Sequence, residues 1–380
     1  MPFMLRKKVE KGEYIYPNSL LQKRAVSSVF LFLMQKPIFS IKMVSKEMMV
    51  LANTEELKKL QESLDGITKK YGKGAVMRLS DKPLSLARIS SGVFPVDEII
   101  GGGYPLGRII ELYGPESSGK TTLALKAIAS FQKEGHVCAF IDAEHALDPD
   151  YAVALGVDID NLYVSQPDCG ETALEIAEIL VRSGAVGLIV VDSVAALVPR
   201  AEIDGEMGAA SVGVHARLMS QAMRKLTGIV STSQSVVIFI NQLRDKIGNN
   251  YGGNETTTGG RALKFYASIR LDVRKKATVQ TDGNAVANTV AVRTVKNKTF
   301  PPFRSCEFDI NYGTGPDEIG YVIERAIEAG LITKAGAWYS MDGFRGHGKR
   351  EIVNYLSEDP VGVERYKEIK EAIRSNTKDS

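Results

Sequence analysis

The 380-residue sequence predicts an α/β fold with a mostly parallel central sheet. Three observations predict it. Apolar runs at 109–113, 137–141, 188–191 and 236–240 alternate with helical segments such as 122–133 and 171–182. Each run is continuously apolar, as strands are when helices cover both faces of a parallel sheet. The first run leads into Gly114-Pro115-Glu116-Ser117-Ser118-Gly119-Lys120-Thr121-Thr122, a Walker A pattern lying between a strand and a helix. Ligands of such a sheet sit at the carboxyl ends of its strands.

At 44% hydrophobic and 24% charged residues, the composition is that of a globular chain long enough for more than one domain, which excludes intrinsic disorder as its general state. The formal net charge is +3, but residues 1–50 carry nine Lys and Arg against three Glu. The remainder is slightly acidic, so bulk basicity gives no argument for a nucleic-acid partner. Cys138, Cys169 and Cys306 are odd in number and lack CxxC spacing, which suits a reducing compartment and no zinc site.

Residues 1–53 read as a leader. Its longest apolar run, 29–34, is far short of the roughly 20 residues a membrane helix requires, so no span is predicted. A disordered or artefactual extension, an upstream start preceding Met43, Met48 and Met49, and an organellar transit peptide all fit its acid-poor composition. The compartment is accordingly cytoplasmic, or organellar if the leader is a transit peptide. From Thr54, with Glu55 and Glu56 behind it, Leu57, Leu60, Leu64 and Ile67 recur at helical steps. They predict a capped amphipathic helix ending near Tyr71-Gly72, then a short strand at 75–79, in a segment spanning 54–82. The core is expected at 83–317. After Gly315-Pro316-Asp317 a helix at 318–329, a Gly-rich stretch at 336–348 and a last helix at 361–374 predict a small C-terminal domain, 318–380. There is no internal repeat and no low-complexity tract.

The strand ends carry the chemistry. Gly114 and Gly119 let the backbone curl so that consecutive N–H groups face a phosphate, and the helix N-terminus behind them adds partial positive charge. Lys120 can reach β- and γ-phosphate oxygens, and the Thr121 hydroxyl can hold a position on Mg²⁺. Gly-rich strand-to-helix turns also occur for packing alone, yet the full pattern in this frame points to a nucleoside triphosphate. The strand at 187–191 delivers Asp192 and then Ser193, the Walker B arrangement of a carboxylate that holds Mg²⁺ through water; an N-cap is the alternative. The run Ile141-Asp142-Ala143-Glu144-His145 offers Glu144 as a general base or water-orienting group, although strand-terminal acids also cap helices or pair with arginine. The run Phe239-Ile240-Asn241-Gln242 offers an amide to the γ-phosphate.

Residues 243–260 lack an apolar pattern and are rich in Gly, Asn and Thr, with Arg244, Lys246, Tyr251 and then Thr256-Thr257-Thr258-Gly259-Gly260. A loop of this length inside a compact domain is usually functional. Its hydroxyls, free N–H groups and cations suit a sugar-phosphate backbone, with an aromatic for stacking. A second such loop, 203–213, leads into a helix bearing Arg217 and Arg224, seven apart and so on one face. Two solvated surface loops would have the same composition.

The phosphate loop together with Ile-Asp-Ala-Glu-His-Ala-Leu-Asp-Pro at 141–149, Val-Val-Asp-Ser-Val-Ala-Ala-Leu at 190–197, Met-Ser-Gln-Ala-Met-Arg-Lys-Leu at 219–226, Glu-Thr-Thr-Thr-Gly-Gly at 255–260 and Ala-Gly-Ala-Trp-Tyr-Ser at 335–340 resembles the RecA family of bacterial recombinases. The resemblance runs in order from about Thr54 to the last helix. It implies a RecA-type ATPase core, an N-terminal helix and strand that dock on the adjacent subunit's core, and a small C-terminal domain. The implied activity is ATP- and Mg²⁺-dependent: a helical filament on single-stranded DNA that pairs it with double-stranded DNA, exchanges strands, and stimulates self-cleavage of an SOS repressor.

By the same likeness Asp148 and Tyr151 lie against adenine, Glu144 activates water and Gln242 couples the γ-phosphate to the second loop. Val212 and Ile247 insert between nucleotide triplets. Arg217, Arg224, Arg244 and the backbone of Thr258, Gly259 and Gly260 hold phosphates. Lys296 and Lys298 reach the neighbouring subunit's ATP. The chain departs from the family in its leader, in its ending Asn376-Thr377-Lys378-Asp379-Ser380 without an acidic tail, and in Asp342 within the C-terminal lobe. A hexameric helicase motor shares such a core, but would add a primase- or partner-binding domain. A small-molecule P-loop kinase would need a lid with catalytic arginines and not two open loops.

Overall fold

The computed structural model describes residues 41–78, 86–206, 213–245 and 255–378. The chain divides into two compact units, Met1–Leu84 and Ser85–Ser380. The first contains one long helix, α1 (Ile41–Tyr71). It starts well before the Thr54 expected from capping, because no Gly or Pro interrupts the chain between Ile41 and Thr54 and propagation overrides a single cap signal. Leu57 and Leu60 on its expected apolar stripe are each 53% exposed. The expected strand at 75–79 does not form at 75–78, which pair with no other strand, and Leu79 lies outside the described residues. A strand needs a ladder partner, and the described residues of its own unit supply none.

The second unit follows the predicted alternation. Its elements open with β1 (Arg88–Ile89), α2 (Phe94–Ile100), β2 (Tyr104–Pro105), β3 (Ile109–Gly114), α3 (Lys120–Lys133), β4 (Val137–Asp142) and α4 (Pro149–Ala154). Then come β5 (Leu162–Ser165), α5 (Gly170–Ser183), β6 (Val186–Asp192), α6 (Arg200–Ile203), α7 (Val214–Ser233), β7 (Val236–Asp245) and β8 (Glu255–Thr257). After α8 (Ala262–Tyr266) the chain forms β9 (Ile269–Thr281), β10 (Asn284–Asn297), β11 (Ser305–Asn311) and β12 (Gly315–Pro316). The main sheet runs in the order β12-β11-β10-β9-β3-β7-β6-β4-β5, with β8 paired to β7. From β9 to β5 neighbours are parallel, and β10 to β12 add antiparallel strands at one side.

Both faces of the inner strands β3, β4, β6 and β7 are buried, which is why these strands are continuously apolar. Leu188 and Val190 of β6 pack in one cluster with Leu123, Ile128 and Phe131 of α3. Ile189 and Val191 pack in another with Leu174 of α5 and Met219 and Met223 of α7. Register brings the functional strand ends level. Gly114 pairs with Gln242, Tyr113 with Asn241, and Asp142 with Asp192.

The sheet does not end at 236–240, where sequence placed its last core strand. β9 and β10 continue it as a hairpin turned at Asp282-Gly283, both residues having positive φ (51° and 79°), as a two-residue type I′ turn requires. The C-terminal residues form α9 (Glu318–Glu328), β13 (Thr333–Ala335), β14 (Trp338–Met341), β15 (Phe344–His347), α10 (Lys349–Glu358) and α11 (Pro360–Lys378). The Gly-rich stretch is thus a three-stranded antiparallel meander. Val322, Ile323, Ile352, Leu356, Ile369 and Ile373 share a core of their own, joined by Phe94 of α2. Glu98 of α2 anchors this lobe, accepting from Arg325 Nη2 at 2.6 Å and Tyr321 Oη at 2.7 Å.

Candidate nucleotide site and nucleic-acid loops

The phosphate loop turns from β3 into α3 with glycines where side chains cannot go. A Cβ on Gly114 would lie 2.0 Å from the Val273 carbonyl oxygen, and Gly119 has φ +95° with Ile310 2.7 Å from the same added atom. Lys120 is 8% exposed. Its ammonium donates to the carbonyls of Gly114 (3.1 Å) and Pro115 (2.6 Å), so the cation is held inside the loop. Burial pulls its pKa below the ordinary value, opposed by Asp192, Glu144 and Glu116.

A cavity of about 320 Å³ lies over the loop, lined also by Tyr151, Asn288 and Tyr312. Tyr151 Oη shares a 2.9 Å hydrogen bond with Thr122 Oγ1. Asp148 stands differently: it is the N-cap of α4, accepting from the N–H groups of Asp150 (2.9 Å) and Tyr151 (3.2 Å), and does not line the cavity. Its Oδ1 is thus engaged in placing Tyr151. Tyr312, which the sequence reading passed over, donates from Oη to Asn288 Oδ1 at 2.8 Å. An aromatic before Gly313 at the end of an alternating run was its one sequence signal.

Thr121 Oγ1 donates to Asp192 Oδ2 at 2.7 Å, bringing together the two groups read as Mg²⁺ ligands. Burial raises the Asp192 pKa to about 6. A carboxyl whose pKa the fold raises stabilises the fold when protonated, and that contribution is lost as pH climbs from the unfolded value of 3.8 through about 6. At neutral pH the group is therefore an ionised, partly desolvated carboxylate, a state that a cation relieves. A hydroxyl and a carboxylate are the hard oxygen donors suited to Mg²⁺.

Glu144 is exposed beyond β4, and two groups converge on its Oε1. The Ser193 hydroxyl donates to it, as does Gln242 Nε2 at 3.0 Å. The two residues read as water activator and sensor are thus in contact. Asp142 is excluded from that role because its oxygens accept from Ala146 N (3.2 Å), Leu147 N (3.2 Å) and Gln166 Nε2 (3.0 Å).

Of the nucleic-acid residues, Val212, Ile247, Lys246 and Tyr251 lie outside the described residues. Arg217 and Arg224 are both exposed on α7. Arg244 is exposed as well, but it is not in an unpatterned loop, because β7 extends to Asp245 and pairs with β8 through Leu243↔Thr257 and Arg244↔Thr256. Thr258 is tied to the strand end, its N–H on the Gln242 carbonyl (3.4 Å) and its hydroxyl on Asn241 Oδ1 (2.5 Å). Gly259 and Gly260 follow with φ +77° and +75°, and a Cβ on Gly260 would meet Ala216 at 2.8 Å.

Lys296, past the apolar run at 236–240, is on β10 of the main sheet. Its ammonium donates to the carbonyls of Lys264 (2.7 Å) and Phe265 (2.8 Å), and burial lowers its pKa to about 8, assisted by Lys298 and Arg270. Lys298 is exposed. Neither lines the cavity of its own chain.

Comparison with known proteins identifies the family. Residues 58–317 match the family described as RecA N-terminal domain, and residues 320–378 match RecA C-terminal domain. The chain is 57% identical over 311 residues to Protein RecA of Staphylococcus epidermidis, covering 81% of this chain and 89% of that one. It is 56% identical over 319 residues to Protein RecA of Nostoc punctiforme (83% and 88%) and 54% identical over 324 residues to that of Clostridioides difficile (84% and 92%). The chain belongs to the RecA family.

Proposed function

We propose that the chain is a DNA-dependent ATPase that forms helical filaments on single-stranded DNA and catalyses homologous pairing and strand exchange in recombinational repair. One observation carries the reading furthest: the Gln242 side chain contacts Glu144, while its backbone contacts Thr258 at the base of the second loop. A single residue therefore joins the hydrolytic carboxylate to the DNA-side segment.

ATP is the substrate. Loop N–H groups and Lys120 bind its phosphates, Tyr151 and Tyr312 form the rim at its base, and Glu144 orients the attacking water. Mg²⁺, held by Thr121 and Asp192, supplies neutralisation of phosphate charge. Arg217, Arg224 and Arg244, with the backbone of Gly259 and Gly260, hold DNA phosphates, and Val212 and Ile247 separate base triplets. Residues 54–82 dock on an adjacent subunit's core, the exposed Leu57 and Leu60 being the surface that such docking would bury. Lys296 and Lys298 complete the neighbour's ATP site. The same filament stimulates repressor self-cleavage in the SOS response. The protein acts in a reducing cytoplasm, in keeping with three buried, unpaired cysteines. Among the described residues no helix is long and apolar enough to cross a membrane.

DNA binding should be strongly salt-dependent and nearly indifferent to sequence, because the contacts go to phosphates and stacked bases. With ~6 phosphates neutralised per site, affinity for a single-stranded oligonucleotide should fall roughly 300-fold between about 50 and 200 mM salt. Fluorescence anisotropy over that range checks it. A flat salt response, or strong preference for one base sequence, contradicts the two-loop reading.

A further inference from the structure

Glu111 is a carboxylate in the middle of an apolar strand, at 0% exposure. Two neighbours on flanking strands hold it. Arg270 of β9 donates from Nε to Oε2, and its guanidinium stacks 4.6 Å from the Tyr113 ring centroid. From the other side Asn241 of β7 donates from Nδ2 to Oε1 at 3.0 Å.

Asn241 is itself 0% exposed, and all four hydrogen-bonding positions of its amide are used. The second Nδ2 proton goes to the Thr258 carbonyl at 3.2 Å. Oδ1 accepts the Thr258 hydroxyl at 2.5 Å and the Gln242 backbone N–H at 2.9 Å. The amide's orientation is dictated by chemistry, since the Glu111 carboxylate can only accept and so must face the nitrogen. A fully satisfied buried amide cannot rotate or slide without breaking bonds that no water replaces.

We propose that Asn241 is a positioning residue that couples the nucleotide site to DNA. It locks the base of the second loop, at Thr258, to the backbone of the residue whose side chain touches Glu144. Glu111 and Arg270 form the fixed footing against which this clamp works. A displacement of Gln242 is thereby transmitted to Thr258 and to Gly259 and Gly260 behind it. The inference rests on the reading that Glu144 and Gln242 face the triphosphate and that 258–260 face DNA.

The test exchanges amide and carboxylate. Asn241→Asp sets a second carboxylate against Glu111 and removes both donors. Glu111→Gln turns a donor toward the Asn241 donor. Glu111→Gln with Asn241→Asp restores one donor and one acceptor across the contact at unchanged net charge. The full-length proteins are titrated with a labelled oligo-dT strand, once with a non-hydrolysable ATP analogue and once with ADP, and the ratio of the two affinities is read. Asn241→Asp should lower that ratio about tenfold, a size typical of coupling between sites, and the double exchange, which repairs the contact with residue 111 but leaves a carboxylate oxygen against the Thr258 carbonyl, should stay below wild type. A purely structural role would depress both affinities together and leave their ratio unmoved.

Retention of the wild-type ratio in Asn241→Asp overturns the proposal, as does a double exchange that regains it in full while the Thr258 carbonyl lacks its donor. A wild-type ratio of one overturns the DNA-dependent reading itself, and the clamp with it. Should Asn241→Asp fail to fold, Thr258→Val, which keeps the shape and removes one bond of the four, must lower the ratio, and an unchanged ratio there overturns the proposal.

Discussion

Lys120→Ala should lower ATP hydrolysis by at least about 10³-fold, equivalent to about 4 kcal/mol of lost transition-state stabilisation. The ammonium is the cation seated in the phosphate loop, between the Gly114 and Pro115 carbonyls. No other residue lining the cavity in the described structure carries a positive charge. A folding defect is a distinct outcome, and stability is read beside activity. Burial lowers the Lys120 pKa, so the folded chain is weakened by this charge wherever the unfolded chain would still be protonated, which includes neutral pH. Removing the charge lifts that cost, which opposes the loss of the two carbonyl hydrogen bonds, so the nucleotide-free protein should stay folded. Phosphate release together with a thermal melt distinguishes the outcomes, and turnover within about tenfold of wild type contradicts the assignment.

Lys296→Ala should collapse DNA-stimulated hydrolysis by about 10³-fold, the low end of what a cation supplied in trans contributes to phosphoryl transfer. Nucleotide binding by isolated protomers should be nearly unchanged, because Lys296 does not line its own chain's cavity. The residue is suited to serving another subunit. Two backbone carbonyls hold its ammonium in place, and an approaching phosphate would favour the charged form against the burial that lowers its pKa to about 8. Mixing Lys296→Ala with Lys120→Ala protein should restore part of the turnover, since one pairing of neighbours then joins an intact loop to intact lysines. If mixed filaments form and stay as inactive as either variant, the site is not shared.

The parallel core was legible because burial on both faces leaves a one-dimensional signature: the runs at 109–113, 137–141, 188–191 and 236–240 could hardly be anything but strands. The phosphate loop was legible for a related reason, as its residues are consecutive. What escaped depends on distance along the chain. Glu111 and Arg270 are 159 residues apart, and nothing local marks them as partners. β9 and β10 are half exposed and polar toward their turn, so they lack the apolar run, although Asp282-Gly283 was a hairpin signal available to be read. Asp148 was placed on adenine by resemblance, and the local rule for an Asp before Pro149 at a helix start, an N-cap, was a further signal available to be read. The start of α1 was misplaced because a favourable cap at Thr54 does not stop a helix that has good formers on its N-terminal side. Lys296 was singled out by resemblance, but its place on the central sheet required β9 and β10 to be recognised first.

The most direct measurement is steady-state phosphate release by the wild-type chain at saturating ATP and Mg²⁺, titrated with homopolymeric single-stranded DNA. The account predicts a low basal rate that rises about tenfold or more and saturates at a fixed ratio of nucleotides to protein, because the Glu144–Gln242 contact ties turnover to the occupied loops. A rate that does not change with DNA would contradict it.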